Sequence, residues 1–529
     1  MRFLPLLSLL LACAPEAPAR MAQEPDAFVR APDLVGREWL NTDRPLASWK
    51  EDLRGQVVLL DFWTYCCINC MHILPDLERL EEEFREEPFL VIGVHSAKFE
   101  QESDPRNIRE AMKRYHIRHP VVVDENMRIW RSFAVRAWPT LVLVDPEGRV
   151  VRQLSGEGHY ETLRAEIRSL LDRHREKGNL APAPLRPRLE ETPSGRLRYP
   201  GKLRFHEGRL YVSNSSGHEV LEVDPASGRI LRAFGALGES GLRDGTPAEA
   251  RFHNPQGLAV LGGALYVADT DNHALRRIDL SSGRVETVAG TGAQARGRPR
   301  EGPAREQELN SPWALEPDGG RLHVAMAGCH QLWTFDPATG RIELLAGSGW
   351  ENIVDGRARP QGPLTRLSLR ASAALAQPSG LALQGRRLWF ADSEVSALRY
   401  VDLDAGRVVT LFGTGLFDFG DRDGGPGEVL LQHPLGVAVH GRHLLVADTY
   451  NNKIKRVDPE APSCESLYGS GEPEPSAGGG LSFWEPGGLD VAGDTLYVAD
   501  TNHHRIVAVD LRSGAWRVLL PTAEPGGED

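Results

Sequence analysis

One phrase occurs six times in this chain, and nothing else in the sequence restricts the fold as much. "GRLYVSNSSGHEVLEVDPASGRI", "GALYVADTDNHALRRIDLSSGRV", "GRLHVAMAGCHQLWTFDPATGRI", "RRLWFADSEVSALRYVDLDAGRV", "RHLLVADTYNNKIKRVDPEAPSC" and "DTLYVADTNHHRIVAVDLRSGAW" follow one another between Gly208 and Trp516. Counted between Val212, Val267, Val324, Phe390, Val446 and Val498, the units recur every 52 to 66 residues. A Pro-x-Gly-Leu phrase precedes most of them, at Pro255, Pro378 and Pro486, with Pro434-Leu435-Gly436-Val437 and the looser Pro312-Trp313-Ala314-Leu315. Each unit holds four short strand-like runs separated by turn glycines; in the second they are "GLAVL", "ALYVAD", "ALRRIDL" and "RVETVAG". A lone four-stranded antiparallel sheet cannot bury its face, whereas six packed radially can, so the repeats predict a six-bladed β-propeller over residues 201–521. Asp269, Asp392, Asp448 and Asp500 recur at one position, and Asp224, Asp279, Asp336, Asp402, Asp458 and Asp510 at another. Both sets suit turn capping and backbone N–H bonding better than metal binding.

Upstream the pattern changes to alternating strands and helices. "QVVLLDFW" and "FLVIGVHS" are continuous apolar runs, as for strands buried on both faces. Between them Ile73, Leu74, Leu77, Leu80 and Phe84 fall at helical spacing. "DPRNIREAMKRYHI", "IWRSFAV" and "HYETLRAEIRSLLDRH" read as further helices, and "HPVVVD" and "PTLVLVDPEGRVVRQLSG" as strands. This predicts an α/β domain over residues 33–176. Residues 177–200, rich in Pro and Arg, read as a linker stiffer than a Gly/Ser tether.

Three cysteines, Cys66, Cys67 and Cys70, lie between the first strand and the first helix. A helix N-terminus offers unpaired N–H groups and a positive dipole end, which stabilise a thiolate. A cysteine one turn later can close a disulfide reversibly. Two other readings stay open: a metal site of Cys66, Cys67, Cys70 and His72, and a binding domain whose redox chemistry is lost.

The α/β domain resembles thioredoxins. Asp61, six residues before Cys67, stands where that family keeps a buried carboxylate that assists proton transfer. Phe62-Trp63 match the strand end, Cys67-Ile68-Asn69-Cys70 the active-site CxxC, and Pro75 the kink of the active-site helix. Trp138-Pro139-Thr140 matches the cis-proline segment. The resemblance implies Cys67 as nucleophile, Cys70 as resolving thiol, Asp61 as proton acceptor and Pro139 as the residue that positions a partner's backbone. Cys66 replaces the usual tryptophan, a departure that bears on substrate docking. "YVADT.N..I..VD" resembles NHL repeats. The whole arrangement, with "EWLNTDRPLASW", "DFWTYCCINCMHILPDL" and "VIGVHSAKF", resembles the NHL repeat-containing protein 2 family over about residues 35 to 520. Animal members carry a further β-rich C-terminal domain.

The resemblance implies a cytosolic protein, which agrees with a start at Met21. Started at Met1, "MRFLPLLSLLLAC" reads as a short export signal ending in a lipobox, with Cys13 lipidated and residues 1–32 a leader. Residues 522–529 read as a disordered tail. With a net charge of −12 and scattered Arg, a nucleic-acid partner is excluded. No cofactor is expected. Protein partners are expected at the long loops between blades, which carry Arg296, Arg298, Arg300, Trp350 and Phe417. His253, His273, His330, His433 and His503 are dispersed in sequence and suggest no converging site. The expected function is thiol–disulfide exchange on a protein partner selected or presented by the propeller; the rival is a non-catalytic interaction scaffold.

Overall fold

The computed structural model describes residues 29–190, 195–360, 372–475 and 479–520. Cys13, Met21 and the 522–529 tail lie outside them.

The first domain is built on a six-stranded sheet, in the order β1-β4-β3-β2-β5-β6. Its elements are β1 (Trp39–Leu40), β2 (Val57–Trp63), α1 (Ile68–Glu83), β3 (Phe89–His95), α2 (Pro105–Arg114), β4 (Val121–Val123), α3 (Arg128–Ser132), β5 (Thr140–Val144), β6 (Val150–Ser155) and α4 (Tyr160–Glu176). β2, β3 and β4 are parallel, while β1, β5 and β6 join antiparallel. Alternate residues of β2 face opposite layers: Val57 and Leu59 pack on α1 and α4, and Val58, Leu60 and Phe62 on α3. The apolar run therefore reads as continuous because both faces are covered.

The second domain has six four-stranded blades in chain order, each made of consecutive strands; blades three and four gain a short fifth strand. The innermost strands are Pro200–His206, Pro255–Leu261, Pro312–Asp318, Pro378–Gln384, Gly436–His440 and Pro486–Ala492. The repeated phrase explains how the blades join. The recurrent aspartate accepts a backbone N–H two residues ahead of its own blade's proline, from His253 to Asp269, Ala376 to Asp392, Gln432 to Asp448 and Trp484 to Asp500, at 2.7–2.8 Å. The hydroxyl that follows this aspartate, or Asn214 in blade one, donates to the proline carbonyl of the next blade: Ser215 to Pro255, Thr270 to Pro312, Ser393 to Pro434 and Thr449 to Pro486, at 2.7–2.9 Å. Thr501 of blade six donates to Pro200 of blade one at 2.9 Å, so the ring closes with the bond used at four of the other five joints; blade three has Ala327 at this position.

A second clasp occurs at all six joints. His218, His273, His330, Ser396, Asn452 and His504 take the same left-handed position, with φ from 47 to 57°. Each accepts the backbone N–H of the residue before the next blade's proline: Asn254, Ser311, Gln377, His433, Glu485 and Tyr199, at 2.8–3.2 Å. Those six residues are also left-handed, with φ from 47 to 61°. A left-handed non-glycine costs about 1–3 kcal/mol and persists only where its surroundings hold it. Here the clasp holds it, and the result is a ring of six side chains around one mouth of the propeller. On the axis itself, the buried Lys202 donates to the carbonyls of Leu435 and Gly487.

Candidate active site

The ring of residues before the prolines meets the first domain. Tyr199 donates to Glu110 at 2.7 Å, and Ser311 bonds His72 at 2.7 Å. Glu485 takes the Tyr65 hydroxyl at 3.0 Å and Arg114 at 2.7 Å. The His433 ring packs on Phe99 with centroids 5.3 Å apart. Gln377 reaches the cysteine loop: its Oε1 accepts the Ile68 N–H at 3.0 Å, and its Nε2 donates to the Cys66 carbonyl at 2.9 Å. The linker is also fixed to the first domain. Ala181 donates to Gly55 at 2.8 Å, Arg188 to Asn41 at 2.9 Å, and Leu185 packs on the core.

Cys67 is the N-cap of α1 and is half-buried, whereas Cys66 and Cys70 are buried; all three are free thiols. The helix begins here because the chain leaves β2, turns at Thr64 with the Cys67 N–H returning to the Thr64 carbonyl, and then places Ile73, Leu77 and Leu80 against the sheet. Burial pushes the Cys70 thiol well up in pKa, and its hydrogen bond with Cys67 adds to that. Burial likewise pushes up Cys66, helped by the nearby Glu102 and Glu394 carboxylates. Glu102, fully buried, accepts the N–H groups of Cys66, Lys98 and Phe99 at 2.8–3.0 Å and so fixes the loop entering the site.

Asp61 is fully buried, with no hydrogen-bond partner on either oxygen. Burial pushes its pKa up to about 7; His119 pulls it down and Glu81 pushes it further up. His119 lies 3.4 Å from Glu81. The Trp138–Pro139 peptide is cis, the Trp138 ring packs with the cluster that contains the three cysteines, and its Nε1 donates to the Ser96 carbonyl at 3.0 Å.

The structure places three groups that the sequence singled out. His72, a candidate ligand in the metal reading, has a side chain that is 5% exposed and bonds Glu157, Ser311 and Gln294 at the domain interface. Of the five histidines that are dispersed in sequence, His253, His273 and His330 do converge, lining one cleft with His72, His116 and His218, whereas His433 and His503 stand outside it. Arg296, Arg298 and Trp350, from the long loops between blades, line it too. This cleft, about 1710 Å³, lies between the domains and reaches Asn69 and Met71 of the cysteine loop and helix. Cys66 lines a separate enclosed space of about 50 Å³ at the propeller mouth, with Gln377, His433 and Tyr450. Among the described residues, no group of three or more His, Cys, Asp or Glu is placed to hold a metal ion. None of them lies in a helix long and apolar enough to cross a membrane.

Sequence reasoning missed Gln377, Glu485, Tyr65 and Glu102. Three of these have partners over 300 positions away in sequence. The available signal was the residue preceding each recurrent proline.

Comparison with known proteins agrees with this architecture. A thioredoxin-like family model matches residues 55–150, and an NHL repeat model matches residues 252–278 and 483–508. The chain is 41% identical over 500 residues to Protein SUPPRESSOR OF QUENCHING 1, chloroplastic, of Arabidopsis thaliana, covering 90% of this chain and 46% of that one. It therefore spans under half the length of that relative. It is 27% identical over 120 residues to Thiol-disulfide oxidoreductase ResA of Bacillus cereus, covering 23% of this chain and 66% of that protein. It is 40% identical over 520 residues to NHL repeat-containing protein 2 of Bos taurus, covering 90% of this chain and 69% of that protein. With a thioredoxin-like domain, an NHL propeller and this degree of identity, the chain belongs to the NHL repeat-containing protein 2 family.

Proposed function

We propose that the chain carries out thiol–disulfide exchange on a protein partner, with Cys67 and Cys70 as the reacting pair. The observation that carries this reading is the placement of Cys67, a half-buried free thiol at the N-terminus of α1 with Cys70 one turn inside the same helix. In the reducing direction, the Cys67 thiolate attacks one sulfur of the partner's disulfide and displaces the other as thiolate. The Cys70 thiol gives its proton to Asp61 and attacks the Cys67 sulfur. The Cys67–Cys70 disulfide forms as the Cys67–partner bond breaks, and the partner leaves with two thiolates, one taking the proton from Asp61 and the other a proton from water. Oxidation of a partner dithiol follows the same steps in reverse. A carboxylate with a pKa near neutrality accepts and returns that proton at working pH. Pro139 and Trp138 border the site and would orient the partner's backbone. The interdomain cleft, which reaches Asn69, would seat the partner's segment.

One observation favours the scaffold reading instead: Cys66 and Cys70 are covered, and the propeller holds the loop on both sides of Cys67. Equilibration of the full chain in glutathione buffers separates the two, with the Cys67–Cys70 state read by mass spectrometry. A reversible two-electron transition, lost in Cys67→Ser, supports exchange. A pair that stays reduced across the range leaves the scaffold.

A further inference from the structure

We propose that Gln377, a residue of the propeller, is a positioning residue for Cys67, so that the redox site is completed by the second domain. The inference rests on the exchange reading above and adds a group to that site.

Gln377 is buried, and its main chain is fixed. Its N–H donates to His330 at 3.1 Å, its carbonyl accepts from Ser379 at 2.8 Å, and its φ is 61°. Only the side chain is left to make a choice, and both its polar atoms go to the cysteine loop. The Ile68 N–H can be met only by Oε1 and the Cys66 carbonyl only by Nε2, so the amide has one possible orientation. Those two backbone groups flank Cys67 directly. Of the six ring residues, the other bonds given above go to Glu110, His72, Tyr65, Arg114 and the Phe99 face; Gln377 is the one that grips the backbone on both sides of Cys67.

The consequence has a sign. The Ile68 N–H belongs to the first turn of α1, whose unpaired donors favour a negative charge at its N-terminus. With a carbonyl oxygen seated on it, that donor is taken and a partial negative charge stands beside Cys67. Gln377 therefore restrains the Cys67 thiolate and shifts the pair toward the disulfide. Coupling of this kind is reciprocal: if the Gln377 contacts favour one redox state, that redox state favours the domain contact by the same free energy.

The test uses the full chain with Gln377→Ala, Gln377→Glu and, as a control elsewhere on the ring, Tyr199→Phe, which loses the bond to Glu110. Two quantities are read: the rate of Cys67 alkylation by iodoacetamide, and the dithiol–disulfide equilibrium in glutathione buffers. In Gln377→Ala, Cys67 is expected to alkylate several-fold faster and the equilibrium to move about tenfold toward the dithiol, equivalent to about 30 mV. Gln377→Glu keeps the size, places a full negative charge there and moves both readings the opposite way. Tyr199→Phe leaves both unchanged. Equal alkylation rates in wild type and both Gln377 variants overturn the proposal, as does an equal shift in Tyr199→Phe, which would mean general loosening. If the wild type shows no exchange while alkylation still follows the expected order, the exchange reading falls and the role of Gln377 stands.

Discussion

The Tyr65 hydroxyl donates to one carboxylate oxygen of Glu485 at 3.0 Å, and Arg114 holds the other oxygen at 2.7 Å. Tyr65 immediately precedes the three cysteines, and Glu485 immediately precedes the proline that starts blade six. The Glu485 side chain is 1% exposed and that of Arg114 14%, so the carboxylate is removed from bulk solvent. A carboxylate in such a place needs both partners, because an unpaired buried charge costs far more than a missing surface bridge. The two domains are thus joined by groups that neither would bury alone.

Arg114→Met is expected to destabilise the full chain by about 3–5 kcal/mol, the cost of leaving one member of a buried pair without its counter-charge. Urea denaturation at neutral pH measures it. A loss under about 1 kcal/mol would show that water reaches Glu485 and that the interface is open in solution.

Asp61 gives the protein a pH dependence of unusual sign. Its pKa rises from 3.8 unfolded to about 7 folded, through burial first, with His119 and Glu81 as the charged groups facing it. Between these values the native state holds a proton that the unfolded state has released. Stability is full below pH 4, falls by about 1.4 kcal/mol per pH unit above it, and has lost on the order of 4 kcal/mol by pH 7. His119, whose pKa is raised by Glu81 and Asp61 against the effect of burial, acts in the same direction as pH rises through its own titration. Asp61→Asn should remove most of the slope and be more stable than wild type at pH 8. Parallel stability curves for the two proteins from pH 5 to 8 would refute the assignment.

The sheet, the helices and the blades were legible because each rests on local periodicity: buried strands as apolar runs, α1 by its helical spacing, and blades by a repeat of one phrase. The cysteine loop was legible for the same reason, lying wholly between one strand and one helix. The domain interface was not. Its six ring residues are Tyr199, Asn254, Ser311, Gln377, His433 and Glu485, and they share a backbone conformation rather than a side-chain type. Identity patterns carry no trace of that. The place of His72 was not legible either, because a helix shows which side meets its own sheet, and the bonds of His72 to Gln294 and Ser311 lie beyond the domain. β1, two residues long, is too short for any period to register.

Reactivity should separate the three neighbouring thiols. Cys67, half-buried at the start of α1, is expected to take iodoacetamide well before Cys70 and Cys66, whose burial pushes their pKa values up. Peptide mapping after limited labelling near neutral pH reads the order. Cys70 or Cys66 modified first would remove Cys67 from the role of nucleophile.

The glycine of the Pro-x-Gly-Leu phrase has a physical reason that can be tested at one joint. A Cβ built on Gly380 would stand 2.8 Å from the Leu435 carbonyl oxygen, 3.1 Å from the Gly436 Cα and 3.1 Å from the Val437 nitrogen. All three atoms are backbone of blade five, so no side chain can swing aside. Gly257 and Gly488 are pressed in the same way, by Ala314 Cα at 2.6 Å and Lys202 Cα at 2.9 Å. The innermost strands therefore approach one another at the axis more closely than any side chain permits, and the glycine sets that spacing. Gly380→Ala must force blades four and five apart, at a cost of about 1–3 kcal/mol for an overpacked site. Gly320 has open space around its missing Cβ and serves as the control; Gly320→Ala should stay within about 0.5 kcal/mol of wild type. Thermal unfolding of the two variants beside wild type decides the matter. Equal midpoints for Gly380→Ala and Gly320→Ala would mean that the blade joint has slack and that the recurrent glycine answers to something other than packing.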